Sequence, residues 1–152
     1  MKIYCLKSIL MENKENDLAK RVVDEMYNND PFSQWLGIER LEDGPGRSVL
    51  RMTVRPEMCN GFGVAHGGIT FSFADSAFAF ASNSHGRKSV SIETSISHTV
   101  ATHPGDVLTA TAVEDHLSNK LAVYRVTVTN QDGVVVALFK GTVYRMGKEW
   151  EV

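Results

Sequence analysis

Residues 69–81, Ile-Thr-Phe-Ser-Phe-Ala-Asp-Ser-Ala-Phe-Ala-Phe-Ala, constrain the chain more than any other stretch, because they predict a helix that is apolar almost all round. Ile69, Phe71, Phe73, Ala74, Ala77, Phe78, Phe80 and Ala81 cover most of its circumference, and a helix hydrophobic on every side has to be buried. Asp75 interrupts it. Aspartate is a poor former of helix interiors, and burying its charge without a partner is costly enough that the group shifts its pKa or serves a function. At about 3.6 residues per turn, Ser72, Asp75, Ser76, Ala79, Ser82 and Asn83 share one face. That narrow polar stripe is a candidate site wall; the alternative is that its members only hydrogen-bond a neighbouring loop or subunit.

A glycine-rich loop, Asn60-Gly61-Phe62-Gly63-Val64-Ala65-His66-Gly67-Gly68, ends where the helical pattern begins. The first turn of a helix leaves N–H groups without internal partners at the positive end of the dipole. A developing negative oxygen can therefore be held by Gly67 or Gly68 with no side chain in the way, which is oxyanion-hole chemistry in outline. Nucleotide readings fail. No Gly-Lys-Ser/Thr follows for a P-loop, and Arg55-Pro56-Glu57-Met58 is neither a hydrophobic strand end nor the start of a βαβ unit.

Asn60, His66-Gly67-Gly68 and Asp75 in that order, then an apolar helix and only strands, resemble the hotdog-fold acyl-CoA thioesterases, most closely the phenylacetic acid degradation thioesterase family. The likeness spans about Asp30 to Met146. It implies that Asp75 is the catalytic carboxylate, acting as general base on water or as nucleophile on the carbonyl, that the Gly67 N–H polarises the thioester carbonyl, and that Asn60 and His66 orient the carbonyl or the attacking water. Ser76 stands where relatives often carry threonine. Gly68, Ser76, Phe62 and Met58 are the substrate-binding candidates. One departure concerns recognition: relatives commonly have an aromatic-Leu-Arg-Pro run after the helix, whereas this chain reads His98-Thr99-Val100-Ala101. The resemblance also implies that the strand holding Val90 to His98 pairs with its twin across a dimer axis, with dimers joining into a homotetramer. Each site would then join the loop of one subunit to the Asp75 helix of the other.

The remaining pattern fits an α+β chain. Leu18, Val22, Val23 and Met26 recur at helical spacing over Asp17–Tyr27, predicting a covering helix that ends before Asn28-Asn29-Asp30-Pro31. Strands are expected over Gly37–Glu42 and Arg47–Val54, and again from Val90, where Val90, Ile92 and Ile96 alternate with polar residues as if one face were buried. Three more fall near Asp106–Leu117, Lys120–Asn130 and Val134–Met146, the last two joined by the Asp132-Gly133 hairpin signal. Short connections make the sheet antiparallel. Only the Ile69–Ala81 helix is hydrophobic enough to fill it, which gives a hotdog fold: a curved antiparallel sheet wrapped around a central apolar helix.

At 152 residues the expectation is an N-terminal extension over 1–14, with Met11 the natural start, and a single hotdog thioesterase domain over 15–152. A net charge of −2 with no basic run argues against nucleic acid, and Met1–Leu10 is too short to span a membrane. Arg87-Lys88 offers one local cationic patch for the coenzyme's phosphates, or a plain exposed turn. Cys5 and Cys59 make neither a disulfide framework nor a metal spacing, so a cytoplasmic setting is simplest. Cys59 has no base near it in sequence, and His98 with His103 lacks the further ligands of a zinc site. No cofactor is expected beyond the coenzyme A of the substrate. Three functions remain to be separated: hydrolysis of aryl or phenylacetyl-type acyl-CoA thioesters, an enoyl-CoA hydratase or dehydratase using His66 as base, and a non-catalytic acyl-CoA-binding module.

Overall fold

The central helix exists as α3, Gly67–Asn83, in a computed structural model that describes residues 2–152, with side chains from Leu10 onward. It begins two residues before the apolar run because His66 caps it, the ring accepting a hydrogen bond from the Gly68 N–H. Phe73, Ala74, Ala77, Phe78, Phe80 and Ala81 are fully buried, each aromatic side chain contributing about 1.5–3 kcal/mol by leaving water.

Six strands wrap this helix: β1 (Glu39–Gly44), β2 (Arg47–Thr53), β3 (Arg87–His98), β4 (Val107–Leu117), β5 (Leu121–Thr129) and β6 (Val135–Glu149). Every pairing is antiparallel, in the order β1-β2-β4-β5-β6-β3. Alternation supplies the inner face, with Leu50 and Met52 on β2, Leu108, Ala110 and Ala112 on β4, and Ala122, Tyr124, Val126 and Val128 on β5 all buried. The tight β1–β2 turn uses Gly46 at φ 68°, and the β5–β6 turn uses Gly133 at φ 75°, where the sequence signalled a hairpin. Small inner residues let α3 approach closely. Phe78 lies directly over Gly141 of β6, where an added Cβ would come 2.6 Å from its ring, and the same ring meets Tyr124 edge-on at 5.7 Å. Past the helix, Glu114 accepts from Tyr124 Oη at 2.6 Å and lies 2.7 Å from His85 Nε2, tying the end of α3 to the sheet.

Two expectations need amendment, and one element was not anticipated. The first helix is α1, Lys2–Asn28, continuous through residue 14, because nothing before Asn28 breaks a helix and Lys, Glu, Leu and Met favour one. Among the described side chains its fully buried positions begin with Ala19, Val22 and Val23. A second short helix, α2 (Pro31–Leu36), follows; Asp30 caps it through the Phe32 and Ser33 N–H groups, Pro31 opens it and Gly37 closes it at φ 73°. Finally, β3 is a sheet edge whose Val90 and Ile92 are 48% and 56% exposed, not a strand with a buried apolar face. A bulge between Ser91 and Glu93 breaks the alternation, leaving Ile96 opposite Phe139 to reach the core. Among the described residues no helix is long and apolar enough to cross a membrane.

Gly141→Ala is expected to lower stability by about 1–3 kcal/mol through overpacking against Phe78, read as a lower urea midpoint at unchanged slope. A wild-type midpoint would mean that Phe78 has room to shift.

Candidate active site at the start of the central helix

The loop ahead of α3 is held by its own backbone. Cys59 and Ala65 form an isolated antiparallel bridge, His66 N–H donates to Met58 at 2.9 Å, and Ala65 N–H donates to Thr102 at 2.8 Å. Asn60 shapes the tip: its Oδ1 accepts from Phe62 N–H at 2.9 Å, leaving the side-chain NH₂ without an acceptor among the described residues. Gly63 turns the chain at φ 75°.

His66 then decides which amide is free. Its Nδ1 accepts from Gly68 N–H at 2.9 Å and its carbonyl accepts from Ile69 N–H at 2.9 Å. A ring nitrogen that accepts carries no proton, so the neutral ring holds its proton on Nε2. Gly68 is therefore engaged, which removes it as an oxyanion donor. The Gly67 N–H finds no acceptor among the described residues, and it borders a cavity of about 310 Å³ shared with Thr70, His98, Val100 and Val136. On the other side of the helix start lies a hollow of about 450 Å³ walled by Phe32, Trp35, Met58, His66, Gly68 and Ser72.

Asp75 is half-buried without a hydrogen bond or ion pair among the described residues, and burial alone raises its pKa above the usual aspartate value. It is not the locked structural pair that would deny it a role. The rest of the polar stripe divides. Ser76 Oγ lies 2.9 Å from Ser33 Oγ, which in turn donates to Asp30, so this hydroxyl braces α2. Ser82 donates to the Ala79 carbonyl, and Asn83 accepts from Ser89 N–H and the Trp150 indole.

The other candidates are placed as follows. Met58 is buried in the core while touching the hollow, and Phe62 stands 92% exposed at the loop tip. Arg87 is not a free cation: its guanidinium donates to the Met146 and Arg145 carbonyls and to Asn119. Lys88 lies over the Trp150 ring at 4.9 Å. The Cys59 thiol donates to the Arg55 carbonyl, and no three metal-binding side chains gather among the described residues.

Two features escaped the sequence reading. Phe32 and Trp35 stack at 6.0 Å on α2, with the Arg55 guanidinium 5.2 Å from the Trp35 ring, and both aromatics face His66 and Gly68 across the hollow. The Asp30-Pro31 cap signal was legible, but six residues are too few for periodicity to reveal. His98, read as a strand end and as half of an incomplete zinc pair with His103, lies against Gly67.

A curled antiparallel sheet wrapped around a central apolar helix defines a hotdog fold. The thioesterase superfamily profile matches residues 62–137. A protein of Archaeoglobus fulgidus with an unproven esterase designation is 43% identical over 137 residues, 90% of this chain and 89% of that one. The acyl-coenzyme A thioesterase PaaI of Escherichia coli is 41% identical over 122 residues, 80% of this chain and 87% of its own. The structure of E. coli PaaI, from the phenylacetic acid degradation operon, superposes with a TM-score of 0.86 at 38% identity, covering 88% of this chain and 97% of that one. A hypothetical thioesterase of Streptococcus pneumoniae, solved with coenzyme A, superposes with a TM-score of 0.72 at 28% identity over 74% of this chain and 88% of that one. The chain belongs to the thioesterase superfamily.

The raised pKa of Asp75 has a signed consequence. Because the native carboxyl resists ionisation, stability falls as pH rises from the ordinary aspartate value to the raised native one and stays lower above it. Asp75→Asn should therefore unfold at a higher temperature than wild type at neutral pH, with the difference shrinking as pH drops through that window. Equal midpoints at neutral pH would show that the native carboxylate is compensated.

Proposed function

We propose that this chain hydrolyses acyl-CoA thioesters to the free acid and coenzyme A, with aryl and phenylacetyl-type acyl groups as its substrate class. The observation that carries the reading is a pair of unsatisfied groups, the Asp75 carboxylate and the Gly67 first-turn amide, neither with a partner among the described residues. In this reading Asp75 takes a proton from water as the oxygen attacks the carbonyl carbon. The carbonyl oxygen gains charge against the Gly67 N–H, a contact worth about 3–4 kcal/mol. Collapse breaks the C–S bond, and the departing thiolate recovers the proton from Asp75. The Asn60 amide and the His66 Nε2–H are donors free to orient the carbonyl or water. The Phe32–Trp35 stack supports an aryl acyl group, since flat rings pack well on flat rings. A hydratase using His66 as base fits less well: Nδ1 is occupied by Gly68 and Nε2 carries the proton.

Gly67 and Asp75 are eight residues apart on one helix, about 12 Å along its axis. That is too far for both to address one carbonyl, so the working site joins the loop of one copy to the Asp75 helix of another. The β3 edge supports a dimer, because Val90 and Ile92 stand exposed beside unpaired backbone. Leu121, Tyr144 and Val90 form a cross-strand apolar row, which supports further pairing of dimers. The unpaired Cys59 thiol suits a reducing cytoplasm.

A thiol-release screen over phenylacetyl, benzoyl, short and long acyl-CoAs tests the activity, with turnover expected to favour the aryl thioesters. Loss of enoyl absorbance without free thiol would replace hydrolysis by hydration. Asp75→Asn should lower thioester turnover at least ~10²-fold while the fold persists; near wild-type turnover would remove Asp75 from the mechanism. Ile92→Lys is expected to shift the chain towards monomer and abolish turnover together, checked by light scattering alongside the assay. An active monomer would refute the shared site.

A further inference from the structure

The cavity beside Gly67 contains a histidine that the reaction described above does not use. His98 is the last residue of β3, fixed opposite Ala137 of β6 by the sheet register. Its ring lies on Gly67: a Cβ placed there would meet Cε1 at 3.3 Å, Nε2 at 3.6 Å and Nδ1 at 3.9 Å. The edge turned to Gly67 is thus the one flanked by both ring nitrogens. Neither nitrogen has a hydrogen-bond partner among the described residues, and neither has the neighbouring Gly67 amide. Both groups border the same cavity of about 310 Å³, whose other walls include Val64, Val100 and Val136.

We propose that His98 is a second donor to the thioester carbonyl, sharing with the Gly67 N–H the oxygen that becomes negative. The inference rests on the thioesterase reading and adds a catalytic residue to it. In this arrangement an oxygen accepting from the Gly67 N–H at about 2.9 Å also accepts from a nitrogen of the neighbouring His98 ring. A neutral imidazole has one N–H, so the role requires the tautomer that carries it on the nitrogen nearer the oxygen, and no proton leaves His98. Water attacks the carbonyl carbon, the π electrons move onto the oxygen, and two N–H groups hold it until the C–S bond breaks.

The test compares wild type with His98→Phe, which keeps a flat ring against Gly67 and deletes the donor, and with His98→Gln, which restores an N–H. Phenylacetyl-CoA turnover is followed by thiol release. Removing one oxyanion donor lowers kcat by ~10²–10³-fold, so His98→Phe should lose at least tenfold in kcat with KM within about twofold, and His98→Gln should recover part of the loss. Wild-type kcat in His98→Phe, or a loss confined to KM, would overturn the proposal. A readout independent of turnover uses the non-hydrolysable ketone analogue of phenylacetyl-CoA with ¹⁵N-histidine-labelled wild type. The His98 ring resonances should shift on binding; unmoved resonances at saturation would also overturn it. Failure of the underlying reading is distinct: the wild type itself would then release no thiol from any acyl-CoA.

Discussion

The hydrogen bond from Gly68 N–H to His66 Nδ1 is the contact on which the site depends. It decides where α3 starts, and so which first-turn amide stays unengaged. A helix must leave its first N–H groups without internal partners. Here one is satisfied by the capping ring and the next by the His66 carbonyl, so the remaining polarity collects at Gly67. The cap also sets the histidine's tautomer, turning a candidate base into a fixed acceptor on one side and a donor on the other. A Cβ on Gly67 would come 3.3 Å from the His98 ring, so a side chain there would require that ring to give way.

Further along α3 the fold tolerates a carboxylate that does nothing for stability. Burial raises the pKa of Asp75, and no cation or donor among the described residues relieves it. The surrounding helix bears the cost. Phe73, Phe78 and Phe80 are buried against sheet and helices, and Phe78 sits over Gly141 where only a glycine leaves it room. Tyr124 and His85 converge on Glu114 and hold the helix's far end. Rigid packing at both ends keeps one unstable group in place, the usual relation between a scaffold and a strained functional residue.

Much of this was legible in the residues. An all-round apolar helix can only be buried, so residues 69–81 announced the core, and Asp75 stood out by violating it. The hairpin glycines and alternating strands gave an antiparallel sheet, and the glycine loop located the amides. The failures share a physical cause, in that one-dimensional periodicity does not report what lies opposite. Val90 and Ile92 alternate as a buried face would, but a bulge and an edge position leave them exposed. Ser76 and Asn83 share Asp75's stripe, yet α2 and the Trp150 indole claim them. Which of Gly67 and Gly68 was free depended on a ring rotamer. His98 is 31 residues from Gly67 in sequence, and only the curl of β3 brings them together.

The geometry also links assembly to chemistry. Along one helix, Gly67 and Asp75 are too far apart to act on a single carbonyl, and no side-chain rearrangement closes a gap set by helical rise. Among the described residues the Asp75 carboxylate is unpaired, the Gly67 amide free and the β3 edge uncovered, which makes three incomplete features. In the proposed dimer a second copy docked edge to edge would complete all three at once, covering Val90 and Ile92, pairing the free β3 backbone and carrying a loop to each Asp75. Under that arrangement the edge strand, which would otherwise invite uncontrolled association, becomes the element that sets the distance between oxyanion donor and base.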